Sequence, residues 1–144
     1  LKSSNKTIAD VQTLDELTTG SLQDPDLYRT TIADAVARGA PTVVVFASPA
    51  YCVNAVCGPQ VEVLQELKNR YKERANFIHV DFYDNPDEIQ GDLSNARLSP
   101  TLTEWNLPSE PWTFIVDSGG LVHAKFEAFT TAEEIEEGLQ AVLR

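Results

Sequence analysis

An apolar run, Pro41-Thr-Val-Val-Val-Phe46, leads directly into Ala47-Ser-Pro-Ala-Tyr-Cys52-Val-Asn-Ala-Val-Cys57-Gly-Pro59. Its length and β-branched content predict a buried strand over 42–47. Pro59 to Arg74 then has helical periodicity, with Val61, Leu64, Leu67 and Tyr71 inward and Glu62, Glu66, Lys68, Lys72 and Glu73 outward. The only two cysteines of the chain therefore lie between a strand end and a helix start. At such a place the free N–H groups and positive dipole end of the helix stabilise a thiolate. Three uses are open to the pair: thiol redox chemistry, metal binding, or a staple that closes a loop.

The spacing limits the geometry. Residues i and i+5 of one ideal helix stand about 8–9 Å apart at Cα, whereas a disulfide requires less than about 7 Å. Proline is tolerated in the first turn of a helix but clashes in its interior. Pro59 thus predicts a helix that starts no earlier than about Ala55. That leaves Cys52 in the preceding loop and Cys57 at or just before the first turn, so a Cys52–Cys57 disulfide is feasible. Of the two thiols, Cys57 has the better claim on the helix dipole.

Elsewhere the pattern gives one domain. Residues 1–26 read as an extended lead-in or stalk, punctuated by Gly20 and Pro25. Tyr28 to Ala37 reads as a helix with Ile32, Ala33, Val36 and Ala37 on one face, stopped at Gly39. Asn76 to Phe82 predicts a second strand. The polar interval 83–108 is too long to lack structure, so a helical turn is expected near Thr101–Trp105. Pro111–Val116 and Leu121–Phe126 predict two strands joined by the turn Asp117-Ser-Gly-Gly120. A last helix opens at Thr130 or Thr131, both in capping-box spacing, and buries Ile135, Leu139, Val142 and Leu143. The first two strands, joined through a helix, should be parallel and the last two antiparallel. The result is a mixed four-stranded α/β sheet with helices on both faces.

Bulk properties exclude several function classes. A net charge of −11 and a pI near 4.4 argue against nucleic acid or an anionic membrane as partner. No apolar run approaches the roughly 18–20 residues that span a bilayer. The chain starts at Leu1 and lacks methionine, so a processed or truncated form is expected, with any signal or anchor upstream. Two cysteines without a third suit an oxidising, extracytoplasmic compartment. No cofactor is expected, and the chain is expected to act as a monomer.

With these elements in order, residues 27–144 resemble a thioredoxin-like protein, a three-layer α/β sandwich. Phe46–Cys52 resembles the passage that ends in Trp-Cys-Gly-Pro-Cys in thioredoxins and TlpA-like redoxins. Glu104-Trp-Asn-Leu-Pro-Ser-Glu-Pro111-Trp-Thr-Phe resembles the segment that leads into the family's cis-proline, and Asp117-Ser-Gly-Gly120-Leu-Val resembles the hairpin that follows. The departures are specific. The motif is C-x4-C rather than C-x2-C, and Val45 stands where thioredoxins carry a buried aspartate. Gln60 stands where Cys57-Gly-Pro would be followed by a second cysteine. The connection 83–100 resembles an insertion beside the site.

The resemblance implies thiol–disulfide exchange with a protein partner. It implies Cys52 as attacking thiol, because it follows an aromatic residue, and Cys57 as resolving thiol; an alignment on Cys57 as the attacker is the alternative. It places Glu110, before cis-Pro111, facing the sulfurs, where its carboxylate would disfavour a thiolate but could act as acid or base. Tyr51 and Trp112 would line the thiol groove. Competing readings are a binding or structural domain with a permanent disulfide, and copper handling of the Sco type with His79 or His123 completing a site. The peroxidase-type Thr-x-x-Cys signature is absent.

Overall fold

The strand β1 (Thr42–Phe46) is buried at every position because it lies inside a sheet covered on both faces. A computed structural model describes residues 5–52 and 55–143; Leu1–Ser4 of the polar start, and Val53 and Asn54 of the cysteine motif, lie outside the described residues. The sheet order is β2-β1-β3-β4, with β2 at Asn76–Val80, β3 at Trp112–Val116 and β4 at Val122–Glu127. β1 runs parallel to β2 and antiparallel to β3, and β3 is antiparallel to β4. The mixed four-stranded α/β sheet expected from the sequence is thus present, with both predicted pairings.

Period-two alternation divides β1 between two cores. Val43, Val45 and Ala47 face a cluster with Val61, Leu64 and Leu67 of α2 (Cys57–Tyr71) and Ile135 and Leu139 of α5 (Ala132–Val142). Val44 and Phe46 face Ile32 and Ala35 of α1 (Ile32–Ala37), Leu102, and Phe114 of β3. Residues 83–108 hold α3 (Pro86–Ile89), a 3-10 turn at Leu93–Asn95, and α4 (Pro100–Trp105), so the expected helical turn is one of three short pieces.

Two readings change. The helix expected over Tyr28–Ala37 is a 3-10 turn at Pro25–Tyr28 followed by α1, and its buried face is Ile32 and Ala35, with Ala37 exposed. The break arises at Thr31, whose side chain accepts a hydrogen bond from the Asp34 N–H and starts a new helix there. Lys68, read as an outward residue of α2, is buried and lies 2.7 Å from Asp24 and 3.1 Å from Asp26. Polarity alone puts a lysine outside; here the segment read as a lead-in folds over α2 and brings the carboxylates to it. Leu17 of that segment, and Leu27 immediately after it, are buried in the α2–α5 core.

The β3–β4 turn rests on Gly120, which has φ +82° and where a Cβ would meet Val36 Cγ1 at 2.8 Å. The Gly120→Ala change should therefore cost about 1–2 kcal/mol, read as a lower urea midpoint at unchanged slope. An unshifted midpoint would show that the turn relaxes freely.

Candidate functional site

α2 starts at Cys57, which makes Pro59 its third residue. At that position the missing N–H costs nothing, and the helix ladder opens one residue later with Gln60 N–H donating to Val56 C=O at 3.0 Å. Cys52 sits outside the helix, and the chain reverses at Ala55, with φ +55°. The Ala55 N–H donates to the Cys52 carbonyl at 3.3 Å. This reversal brings the Cα atoms of Cys52 and Cys57 to 5.9 Å, and the two sulfurs form a disulfide. The two ends differ in environment: Cys57 is completely buried in the α2–α5 core, while Cys52 is half-buried at its edge.

Glu110 faces this disulfide. Its carboxylate lies 3.3 Å from Cys57 Sγ. A disulfide sulfur carries no hydrogen, so this contact is a hydrogen bond only when Glu110 is protonated, or when reduction makes Cys57 a thiol donor. Ser48, just past β1, holds the carboxylate: its backbone N–H donates to Oε1, and its Oγ lies 2.7 and 2.8 Å from the two carboxylate oxygens. The Glu110–Pro111 peptide is cis. Burial raises the Glu110 carboxyl above its ordinary value, against the opposing pull of the Ser48 hydrogen bonds. Among the described residues no lysine, arginine or histidine pairs with Glu110. Val45 is fully buried in the same core as Cys57, so that position holds no acid.

The remaining expected site residues are placed as follows. The Tyr51 hydroxyl accepts from the Gly91 N–H at 3.0 Å, and its ring meets Tyr83 edge-on, so the 83–98 segment braces the loop that carries Cys52. Trp112 stacks on Phe114 and donates from Nε1 to Ser109 Oγ at 3.1 Å, on the α1–α4 face. His79 is buried with both ring nitrogens engaged, Nδ1 by the Tyr28 hydroxyl at 2.7 Å and Nε2 by the Ala47 carbonyl at 2.8 Å. The carbonyl can only accept, so Nε2 carries the hydrogen and Tyr28 donates to Nδ1. Neither His79 nor exposed His123 joins the ligating atoms around the cysteines, which among the described residues are those of Cys52, Cys57 and Glu110.

Two residues near the site carried no role in the sequence reading. Ser48 orients Glu110, and the only sequence signal is a hydroxyl residue immediately after an apolar strand. Asp81, at the end of β2, is buried and accepts from the N–H groups of Thr19 at 2.7 Å and Tyr83 at 3.0 Å. Burial pushes its carboxyl up to about 7, with the nearby Glu110 charge adding to the effect. Beside the disulfide a groove of about 340 Å³ runs between the N-terminal segment and α2, lined by Leu22, Pro49, Ala50, Gly58, Val61 and Glu62 among others.

No protein-family model and no curated protein matches the sequence. Solved structures do match in shape. A Chlorobium tepidum protein provisionally described as thiol:disulfide interchange protein DsbE superposes with a TM-score of 0.63 at 16% identity, over 80% of this chain and 86% of that one. MTB DsbF, solved in mixed oxidized and reduced forms, gives 0.56 at 17% identity over 72% of this chain and 81% of its own. Chloroplastic thioredoxin z gives 0.56 at 19% identity over 76% and 84%. The sheet order, the helices on its two faces and these superpositions agree: the chain has the thioredoxin-like fold, with a disulfide-bonded C-x4-C pair at the start of α2.

Proposed function

We propose that this domain carries out thiol–disulfide exchange on an extracytoplasmic protein partner, with Cys52 attacking and Cys57 resolving. The observation that supports this most is the Glu110 carboxylate 3.3 Å from the buried sulfur of Cys57, while Cys52 is the less buried residue of the pair. In the reduced chain the Cys52 thiolate attacks a partner disulfide, forming a mixed disulfide and expelling one partner thiolate. Glu110 accepts the Cys57 thiol proton, and the Cys57 thiolate attacks Cys52 Sγ. That closes the internal disulfide and expels the second partner thiolate. Two electrons pass to the partner; run in reverse, the same steps oxidise it. Glu110 thus fills the proton-handling role that Val45 cannot, and its burial favours the protonated form required for the reverse step. The groove lined by Leu22, Pro49 and Val61 supplies surface for an extended substrate segment, whereas Trp112 packs on the opposite face of the sheet and takes no part in it. The closed cysteine pair, with no free cysteine among the described residues, supports an oxidising compartment. No helix among the described residues is long and apolar enough to cross a membrane.

The test is the midpoint potential of the pair, equilibrated against thiol buffers. We expect a value in the range of exchange proteins, about −120 to −270 mV. A potential below about −300 mV would make the bond a permanent staple and overturn this reading.

A further inference from the structure

We propose that the dithiol form of the chain binds one Zn²⁺ through Cys52, Cys57 and Glu110, and that closing the disulfide expels the ion. One sulfur from each cysteine and one Glu110 carboxylate oxygen all lie within 4.8 Å of one another. The three come from separately anchored pieces of backbone: the loop turned at Ala55, the first residue of α2, and the segment before β3. The S–S bond holds the two sulfurs together in this oxidised form; what carries over to the dithiol is the Cα separation and the Glu110 carboxylate that Ser48 holds 3.3 Å from Cys57 Sγ. Zinc takes thiolate sulfur at about 2.3 Å and carboxylate oxygen at about 2.0–2.2 Å in a tetrahedron, which puts two bound sulfurs about 3.7 Å apart. Cα atoms 5.9 Å apart reach that separation by side-chain rotation once the S–S bond is open. The fourth position is left to water or to Ser48 Oγ, which lies 2.7 Å from Glu110 Oε1.

Charge supplies the second argument. Glu110 is half-buried and pairs with no cation among the described residues. On reduction two thiols join it, in a protein whose net charge is −11. When all three groups are ionised they hold three negative charges in a partly desolvated site, and a divalent cation is the natural counter-charge. The donor types select the metal. Two thiolates with a carboxylate suit borderline Zn²⁺ better than Cu⁺, which favours sulfur alone or sulfur with imidazole, and no histidine reaches the group.

This inference rests on the proposed function only in requiring that the pair can be reduced. Release is balanced by the same exchange. A partner disulfide takes two electrons from the two bound thiolates and becomes two thiolates, which take their protons from solvent; the S–S bond of Cys52 and Cys57 forms, and Zn²⁺ leaves with its two sulfur ligands lost. By linkage, an ion held only by the reduced form favours that form. A free Zn²⁺ concentration a hundredfold above its Kd should raise the midpoint potential by about 59 mV, two steps of 29.6 mV.

The experiment uses the whole chain, reduced with a phosphine and checked by thiol count. It is titrated with Co²⁺ for thiolate-to-metal charge-transfer absorption and with Zn²⁺ against a chromophoric chelator. We expect one ion per chain, binding at least tenfold weaker in Glu110→Gln and at least a hundredfold weaker in Cys52→Ser, and none in the oxidised protein. If Glu110→Gln fails to fold, Glu110→Asp, which withdraws the carboxylate by one methylene, should weaken binding in the same direction. Reduced wild type binding no tighter than Cys52→Ser, or the Glu110 variant binding as tightly as wild type, overturns the proposal. The two readings fail separately. Zinc binding by a phosphine-reduced chain whose pair has the potential of a permanent staple would support the metal site and sink the exchange activity. A pair that exchanges readily yet binds no ion would do the opposite.

Discussion

The Cys57→Ser protein, reduced and mixed with a disulfide-bonded protein partner, should accumulate a covalent adduct through Cys52, whereas Cys52→Ser should accumulate none. The expectation follows from position. Cys57, the first residue of α2, is fully buried, so a partner disulfide cannot reach it, and Cys52 is the half-buried member of the pair. Attack on a disulfide requires access as well as a thiolate. Removing Cys57 leaves the first displacement intact and removes the second, so the mixed disulfide persists. Turnover should fall on the order of a thousandfold or more in either variant, because each removes a sulfur that forms and breaks a bond. Gel mobility with and without reductant, followed by mass mapping of the adduct, reads the outcome. An adduct formed only by Cys52→Ser would exchange the two roles. Undiminished turnover in both variants would remove the pair from the chemistry altogether.

The second large effect concerns stability against pH. Burial holds the His79 imidazole down at about 4, below its ordinary 6.5, with the Ala47 hydrogen bond opposing. Between pH 4 and 6.5 the unfolded chain therefore binds a proton there that the native chain does not, and stability falls as pH falls. Asp81 works the other way. Its native carboxyl stays protonated up to about 7, against an ordinary 3.8, so the native chain holds the extra proton and stability falls as pH rises through that window. The two slopes are opposite in sign and overlap between pH 4 and 6.5, so wild type should be nearly level there.

Each single variant should uncover the other slope. Asp81→Asn should lose about 3 kcal/mol on going from pH 6.5 to 4, from the His79 shift alone. His79→Gln should instead gain on acidification, by about 3 kcal/mol over the same interval. Urea midpoints at a series of pH values measure both slopes. The slope is the readout, so a lower baseline from lost hydrogen bonds does not obscure it. Level profiles in both variants would show that water reaches these side chains. Below about pH 4 a different loss begins, as Asp26, held low by Arg29 and then Lys68, takes up its proton.

Much of the framework was legible because local patterning and burial agree along most of the chain. The strand of β-branched residues before the cysteines, the capped final helix and the Asp-Ser-Gly-Gly turn each pair a propensity with the periodicity the fold needs. Pro59 was the most useful single residue, since its missing N–H limits the helix start and thereby puts Cys52 in a loop. Lys68 is misplaced by local polarity because its partners Asp24 and Asp26 are more than forty positions away in sequence, and nothing local signals an ion pair of that kind. The helix read across Arg29–Thr31 failed for a local reason: Thr31 competes for the backbone as a cap more strongly than its neighbours favour continuation.

By itself the sequence determined the α/β class, the four strands and their pairing sense, and a cysteine pair able to close between loop and helix. These depend on residue periodicity, proline and glycine stereochemistry, and spacing, all of which act over a few residues. Only the tertiary structure decided which sulfur is buried, that Ser48 turns the Glu110 carboxylate onto Cys57, and that both ring nitrogens of His79 are spent elsewhere. Those outcomes depend on which distant segments share one small volume, since burial and charge act through space rather than along the chain.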